Sequence, residues 1–118
     1  MLYFFTGTDS EKLREKMLGA VEKVSKGKSV VRVSDANERA DVVMVMQGRG
    51  MFDGPRVVVL SNVLNNTDSR DVLFEQLPHI SKSEEVFYML ETDIDAATRK
   101  TVEKYAEKTE RIDAPKKA

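Results

Sequence analysis

The chain opens on an apolar, aromatic run, Met1 to Thr6, with no alternation of polar and apolar positions. Such continuity predicts a strand buried on both faces of a sheet. Gly7-Thr-Asp-Ser10 then reads as a turn into a helix. Asp9 or Ser10 can accept the first free N–H groups, and Glu11 suits the positive helix end. Leu13, Met17, Ala20, Val21 and Val24 recur at helical spacing with Lys and Glu opposite, so this helix is expected to run to about Ser25 and to end at Gly27.

Ser29 to Ser34, carrying Val30, Val31 and Val33, reads as a second strand. Asp35-Ala-Asn-Glu38 has the form of a capping box and predicts a second helix through about Gln47. Val42 to Met46 is β-branched and continuous, as a strand would be; the cap and the length favour helix. Arg56 to Asn62 is the clearest strand. Asn65-Asn66-Thr67 predicts a turn, and a third helix is expected from about Ser69, with Val72, Leu73, Phe74 and Leu77 facing inward and Pro78 stopping it. Glu85 to Glu91 is a fourth strand. Asp93 or Asp95 caps a fourth helix, sparse in apolar residues and expected to be well exposed, to about Lys108. Glu110 to Ala114 suggests a short last strand, and residues 115–118 a linker or tail.

Continuous apolar strands alternating with amphipathic helices imply an α/β fold. A single doubly wound domain over residues 1–114 is expected, with a mostly parallel five-stranded sheet and helices on both faces. The 118 residues suit one domain with a normal core. The chain has no cysteine and one histidine, which rules out a disulfide framework and any thiolate or histidine-rich metal site. Met1 to Thr6 is too short for a signal peptide and has no basic region before it. No run approaches the roughly 20 apolar residues of a membrane span. A cytoplasmic, soluble protein is the expectation. The net charge of −1 lacks the basic surplus of a dedicated nucleic-acid binder, which disfavours direct DNA binding.

The positions where such a fold carries chemistry are blank. The first strand–helix turn, Thr6 to Lys12, has one glycine and no Gly-Lys-Ser/Thr, and Asp9 and Glu11 would repel a phosphate. The valine strand ends at Leu60-Ser61-Asn62 without a carboxylate for magnesium. His79 follows Pro78 at a helix end, and no Gly-x-Ser-x-Gly elbow exists. Glu84-Glu85 and Asp93/Asp95 adjoin a strand start and a helix cap, where solvated structural roles suffice. Lys116-Lys117 reads as a solvated tail. No catalytic residue, metal or cofactor is expected, and the prior moves from enzyme to interaction module.

One stretch stands apart: Gln47-Gly-Arg-Gly-Met51-Phe52-Asp-Gly54, an apolar pair among three glycines. Two placements are open on the residues alone. The pair can tuck into the core, the commoner fate of large apolar residues. It can also stand on a surface turn as an adhesive tip for a partner.

Four features together resemble one family. They are Gly7-Thr-Asp9 leading into Leu13-Arg14-Glu15; Gln47-Gly-Arg-Gly-Met51-Phe52; the run Arg56-Val-Val-Val-Leu-Ser-Asn62; and Met89-Leu-Glu-Thr-Asp-Ile-Asp95 before Arg99-Lys100. In order and spacing they are similar to the N-terminal domain of the delta subunit of bacterial DNA polymerase III, the wrench of the sliding-clamp loader. The resemblance covers essentially the whole chain, although each motif alone is weak. Met51 stands where the family more often has leucine, a change that keeps volume and apolarity.

The resemblance implies a degenerate AAA+-type, P-loop-NTPase-like domain without a functional P-loop. It implies DNA replication as the setting and the sliding clamp (the beta subunit) as partner. Met51 and Phe52 would enter a clamp pocket and help open the ring, with Gln47 as a looser match to the leading glutamine of clamp-binding peptides. It places the pair on an exposed tip. Other loader subunits are possible partners, and DNA is met only indirectly. The family's lid and collar domains have no counterpart in these 118 residues, which read either as one domain of a longer chain or as a short stand-alone relative; ring assembly, which rests largely on the collar, is implied only in the first case. The alternative is a small nucleotide- or metabolite-binding regulatory domain with its ligand near Gly7 and Ser61. A third reading is a purely structural module with Met51 and Phe52 buried.

Overall fold

The computed structural model describes residues 1–36, 38–46, 56–92 and 94–115. Strands and helices alternate along them. They are β1 Leu2–Thr6, α1 Ser10–Val24, β2 Ser29–Ser34, α2 Arg39–Met46, β3 Arg56–Ser61, α3 Thr67–Lys82, β4 Val86–Glu91, α4 Ala96–Tyr105 and β5 Lys108–Arg111, with a 3-10 turn at Val63–Asn65. The strands form one sheet in the order β2-β3-β4-β1-β5, and every pairing is parallel. This is the expected doubly wound α/β class.

The order explains the layering. From β1 the chain crosses to the far edge at β2, then steps back through β3 and β4 and passes β1 to reach β5. Right-handed crossovers in opposite directions put their helices on opposite faces. Accordingly Leu13, Met17 and Val21 of α1 pack on Phe5, Val57, Val59, Tyr88 and Leu90. Val42, Leu73, Leu77, Ile80 and Val102 of the other three helices pack on the opposite face, against Leu2, Phe4, Val58, Phe87 and Met89. The central strand β4 is apolar on both faces because both are covered.

Local chemistry sets most boundaries. Asp9 caps α1, its carboxylate accepting the Lys12 N–H at 3.1 Å. The helical reading of residues 42–46 holds, but the cap lies further on than expected. The carboxylate of Asp41 accepts the Glu38 N–H at 3.1 Å, so the acid that closes this helix start is Asp41 and not Glu38. Asn66 caps α3 by accepting the Asp68 N–H. Asp95 caps α4, and its bonds from Thr98 hold its carboxyl below the usual range. Asp93, Lys116 and Lys117 lie outside the described residues.

Three expectations are corrected. Pro78 does not stop the third helix, which continues to Lys82. The proline removes one N–H bond, but Leu77 and Ile80 on either side of it are fully buried, and that burial outweighs the loss. The fourth helix ends at Tyr105 and not near Lys108, because the Glu107 N–H is taken by the Leu2 carbonyl and Lys108 pairs beside Tyr3. The last strand is therefore Lys108–Arg111, earlier than the expected 110–114. Its polar composition hid it, since its place is fixed by backbone pairing at a sheet edge.

Candidate functional site

In an open parallel sheet the ligand crevice lies at the carboxyl ends of the strands, where successive crossovers diverge. Here that point lies between β1, whose helix goes to one face, and β4, whose helix goes to the other. The turn after β1 would present its N–H groups to a phosphate. Two of those groups, of Thr8 and Asp9, are already engaged by the chain itself. The Asp9 N–H donates to the Ile112 carbonyl at 3.1 Å, and the Thr8 N–H donates to the Asp113 carboxylate at 3.0 Å. In return the Ala114 N–H donates to the Thr8 hydroxyl at 2.8 Å, and the Ile112 N–H to the Thr6 carbonyl at 3.0 Å.

Gly7 is required by this closure. Its φ is +139°, and a Cβ there would sit 2.0 Å from the Ile112 carbonyl oxygen. The sequence reading assigned Gly7 to the turn; the structure adds the close passage of residue 112. Beside it is a cavity of about 80 Å³ lined by Thr6, Thr8, Thr92, Arg99, Arg111 and Asp113. Small-molecule sites run to roughly 300–1,000 Å³, well above this volume. Arg99 and Arg111 each turn their Nε to a local carboxylate, Glu103 and Asp113. The end of β3 carries no acid at Ser61 or Asn62. Instead Asn62, in the left-handed region at φ 55°, accepts both the N–H and the hydroxyl of Thr92.

Glu91 ends the central strand and is fully buried, a feature the sequence reading did not single out. One carboxylate oxygen accepts the Leu64 N–H at 3.4 Å and so caps the 3-10 turn. The other has no partner among the described residues. Burial pushes this carboxyl up to about 8, partly opposed by backbone N–H groups of Leu64 and Val63 and reinforced by Asp35. The signal in sequence was a lone acid closing the apolar run 86–90.

Gln47, Met51 and Phe52 lie outside the described residues, as do all of 47–55. The elements on either side of them are firmly held. Arg56, first residue of β3, donates through Nη2 to the Val45 carbonyl of α2 at 2.7 Å. Its Nε and Nη2 also grip the Glu85 carboxylate, in a pair whose side chains are only 13% and 16% exposed. Glu85 is therefore not the solvated acid expected from its position. One guanidinium ties the last turn of α2, the start of β3 and the approach to β4. Val45 and Arg56, which stand on either side of the segment in sequence, thus meet at the amino end of the sheet, opposite the crevice. Close by on α2, Met44 is 71% exposed. His79 is exposed near the end of α3, as expected.

Among the described residues no group of three His, Cys, Asp or Glu side chains could hold a metal, and no helix is long and apolar enough to cross a membrane. No protein-family model matches the chain, and no curated protein matches it in sequence.

Proposed function

We propose that this chain is a non-catalytic, delta-type clamp-loader domain. It binds the sliding clamp of a replicative DNA polymerase through Met51 and Phe52, with Gln47 alongside, and takes part in opening the ring. In this reading it works in the cytoplasm, meets DNA only through the clamp, and can contact other loader subunits.

The observation that carries the proposal is the apolar pair itself, set among glycines between a helix and the valine strand, in order and spacing with the other three matching motifs. Two structural features support it. Arg56 ties Val45 of α2 to the start of β3, and such a fixed base would let two apolar side chains carried between them fill a pocket without a large ordering loss. At the opposite end of the sheet, Ile112 and Asp113 take the Asp9 and Thr8 N–H groups of the turn where a nucleotide phosphate would sit, which speaks against the regulatory-domain alternative. Ring opening further requires that the tip bind the open clamp better than the closed one, since equal affinity shifts nothing.

Calorimetric titration against the sliding clamp from the same source tests the reading. The parent is expected to bind, and Phe52→Ala to lose about 2 kcal/mol or more with an unchanged thermal midpoint. A well-folded parent that does not bind, with Phe52→Ala melting many degrees lower, would place the pair in the core and end the proposal.

A further inference from the structure

A groove of about 510 Å³ runs between α1 and the β5 edge, on the sheet face that carries α1. Its volume is that of a small-molecule site. The floor is aromatic. Half-buried Tyr3 is its accessible ring; it stacks on buried Tyr88 with centroids 5.3 Å apart, and buried Phe5 lies 6.2 Å from Tyr88. The Tyr88 hydroxyl, for which no hydrogen bond to a described residue is found, lies in a groove-lining residue. Burial, and then the neighbouring Tyr3, push that phenol up, so it stands as a neutral hydroxyl.

The groove is polar in the sense of having two unlike ends. Parallel register sets Lys108 beside Tyr3 and Glu110 beside Phe5. Helix α1 runs back along the strands, so its Lys23 lies toward the Tyr3 end and its Lys16 toward the Phe5 end. Lys16 and Glu110 close the Phe5 end with a 3.1 Å ion pair. At the other end Lys23 and Lys108 have no carboxylate partner among the described residues. The one unmatched acid of the lining, Glu15, lies at the closed end.

The helix wall has a second peculiarity. Gly19 sits mid-helix, where glycine is unfavourable by about 1 kcal/mol relative to alanine. Nothing within the fold asks for it: a Cβ there would meet no atom within 4 Å. The space it leaves is the groove.

We infer that the α1–β5 groove binds a small aromatic anion, its ring laid on Tyr3 beneath Gly19 and its acidic group held by Lys23 and Lys108. This site is separate from the one proposed above, and neither depends on the other. The aromatic floor selects a flat apolar body, the gap at Gly19 gives it room, and the unmatched lysines at one end supply the complementary charge.

The test is calorimetric titration of the folded chain with 8-anilinonaphthalene-1-sulfonate, with uncharged N-phenyl-1-naphthylamine beside it. One anion per chain is expected. Gly19→Leu projects into the groove, toward Glu15 and Lys16 by the usual lean of helical side chains, and should weaken binding by about ten-fold or more. It should also hold or raise the thermal midpoint, while Gly19→Ala, too small to fill the space, keeps binding. The double change Lys23→Glu with Lys108→Glu should weaken the anion by about ten-fold and the uncharged probe far less. No binding, or binding that Gly19→Leu leaves intact in a folded variant, overturns the site. Equal loss of both probes in the lysine variant overturns the anion's role, and this holds even if the Gly19 variant does not fold.

Discussion

Replacing Glu91 by glutamine gives the most demanding check on the physical account of this fold. The carboxyl is fully buried at the end of the central strand, one oxygen on the Leu64 N–H and the other without a partner. Burial raises it from the ordinary 4.5 to about 8. Between those two values the folded chain keeps a proton that the unfolded chain has released. Unfolding is therefore favoured more and more as pH rises through that window, and stability falls. Below pH 4.5 both states are protonated, and above about 8 both are ionised, so this group adds no slope there. At ~1.4 kcal/mol per pH unit the gap sets a ceiling on the order of 5 kcal/mol for the total decline.

Glutamine cannot ionise, so Glu91→Gln removes that decline. It keeps an oxygen for Leu64 and puts an amide NH₂ where the protonated parent already holds an O–H without a partner, so the exchange adds one unmatched N–H, at about 1 kcal/mol. That cost is the same at every pH, whereas the decline it removes is complete only above about pH 8. The variant should be less stable than the parent by about 1 kcal/mol near pH 5 and more stable by about 3 kcal/mol near pH 9. Urea unfolding followed by far-UV circular dichroism at half-unit pH steps measures the difference, and titrations common to both proteins cancel. Parallel pH profiles, or a variant that loses ground as pH rises, would refute the reasoning and mean that Glu91 is ionised and well solvated in the native state.

Other substitutions probe the two ends of the sheet. Gly7→Ala drives a Cβ to within 2.0 Å of the Ile112 carbonyl at a φ of +139°. It should cost on the order of 3 kcal/mol in urea unfolding and speed amide exchange at Thr8 and Asp9, whereas unaltered exchange would show that the closure by residues 112–114 is not what Gly7 serves. Arg56→Met leaves Glu85 without its cation and the Val45 carbonyl without its donor, for a loss of about 3 kcal/mol. Adding Glu85→Met should recover part of that loss in a double-mutant cycle, and strict additivity would count against the pair.

Much of this architecture is legible in the sequence because it is written in periodicity. The runs 2–6, 56–61 and 86–91 are continuous and apolar since β1, β3 and β4 lie inside the sheet with both faces covered. Asp9 and Asp95 announce their helices because a cap is a local event. What stays hidden depends on residues distant in sequence. Pro78 reads as a stop until Leu77 and Ile80 are seen packed beneath it. Lys108–Arg111 has no strand signature because its partner, β1, lies more than a hundred residues earlier. Glu85 looks solvated until Arg56 closes on it. Glu91 looks like the ordinary end of a strand until the turn at 63–65 folds over it. The closure of the first turn escapes for the same reason. Asp9 and Glu11 hint that no phosphate belongs there, but only the fold brings Ile112 and Asp113 onto the N–H groups.

The separation of the two ends has its own consequence. A strand of six residues, such as β3 or β4, spans roughly 20 Å. Gly7, Ile112 and Asp113 stand at the carboxyl end, and Arg56 with Val45 at the amino end, with the sheet between. Residues that far apart with no shared partners combine additively, within about 0.5 kcal/mol. A loss of clamp binding caused by Phe52→Ala should therefore be the same with or without Gly7→Ala. A loss produced by Gly7→Ala alone should track the fraction of chain unfolded and vanish at a temperature where the variant is fully native. If Gly7→Ala changed clamp affinity in the native state, the two ends of the sheet would be coupled, and the carboxyl-end closure would have to be read as part of the binding mechanism instead of as a filled and silent crevice.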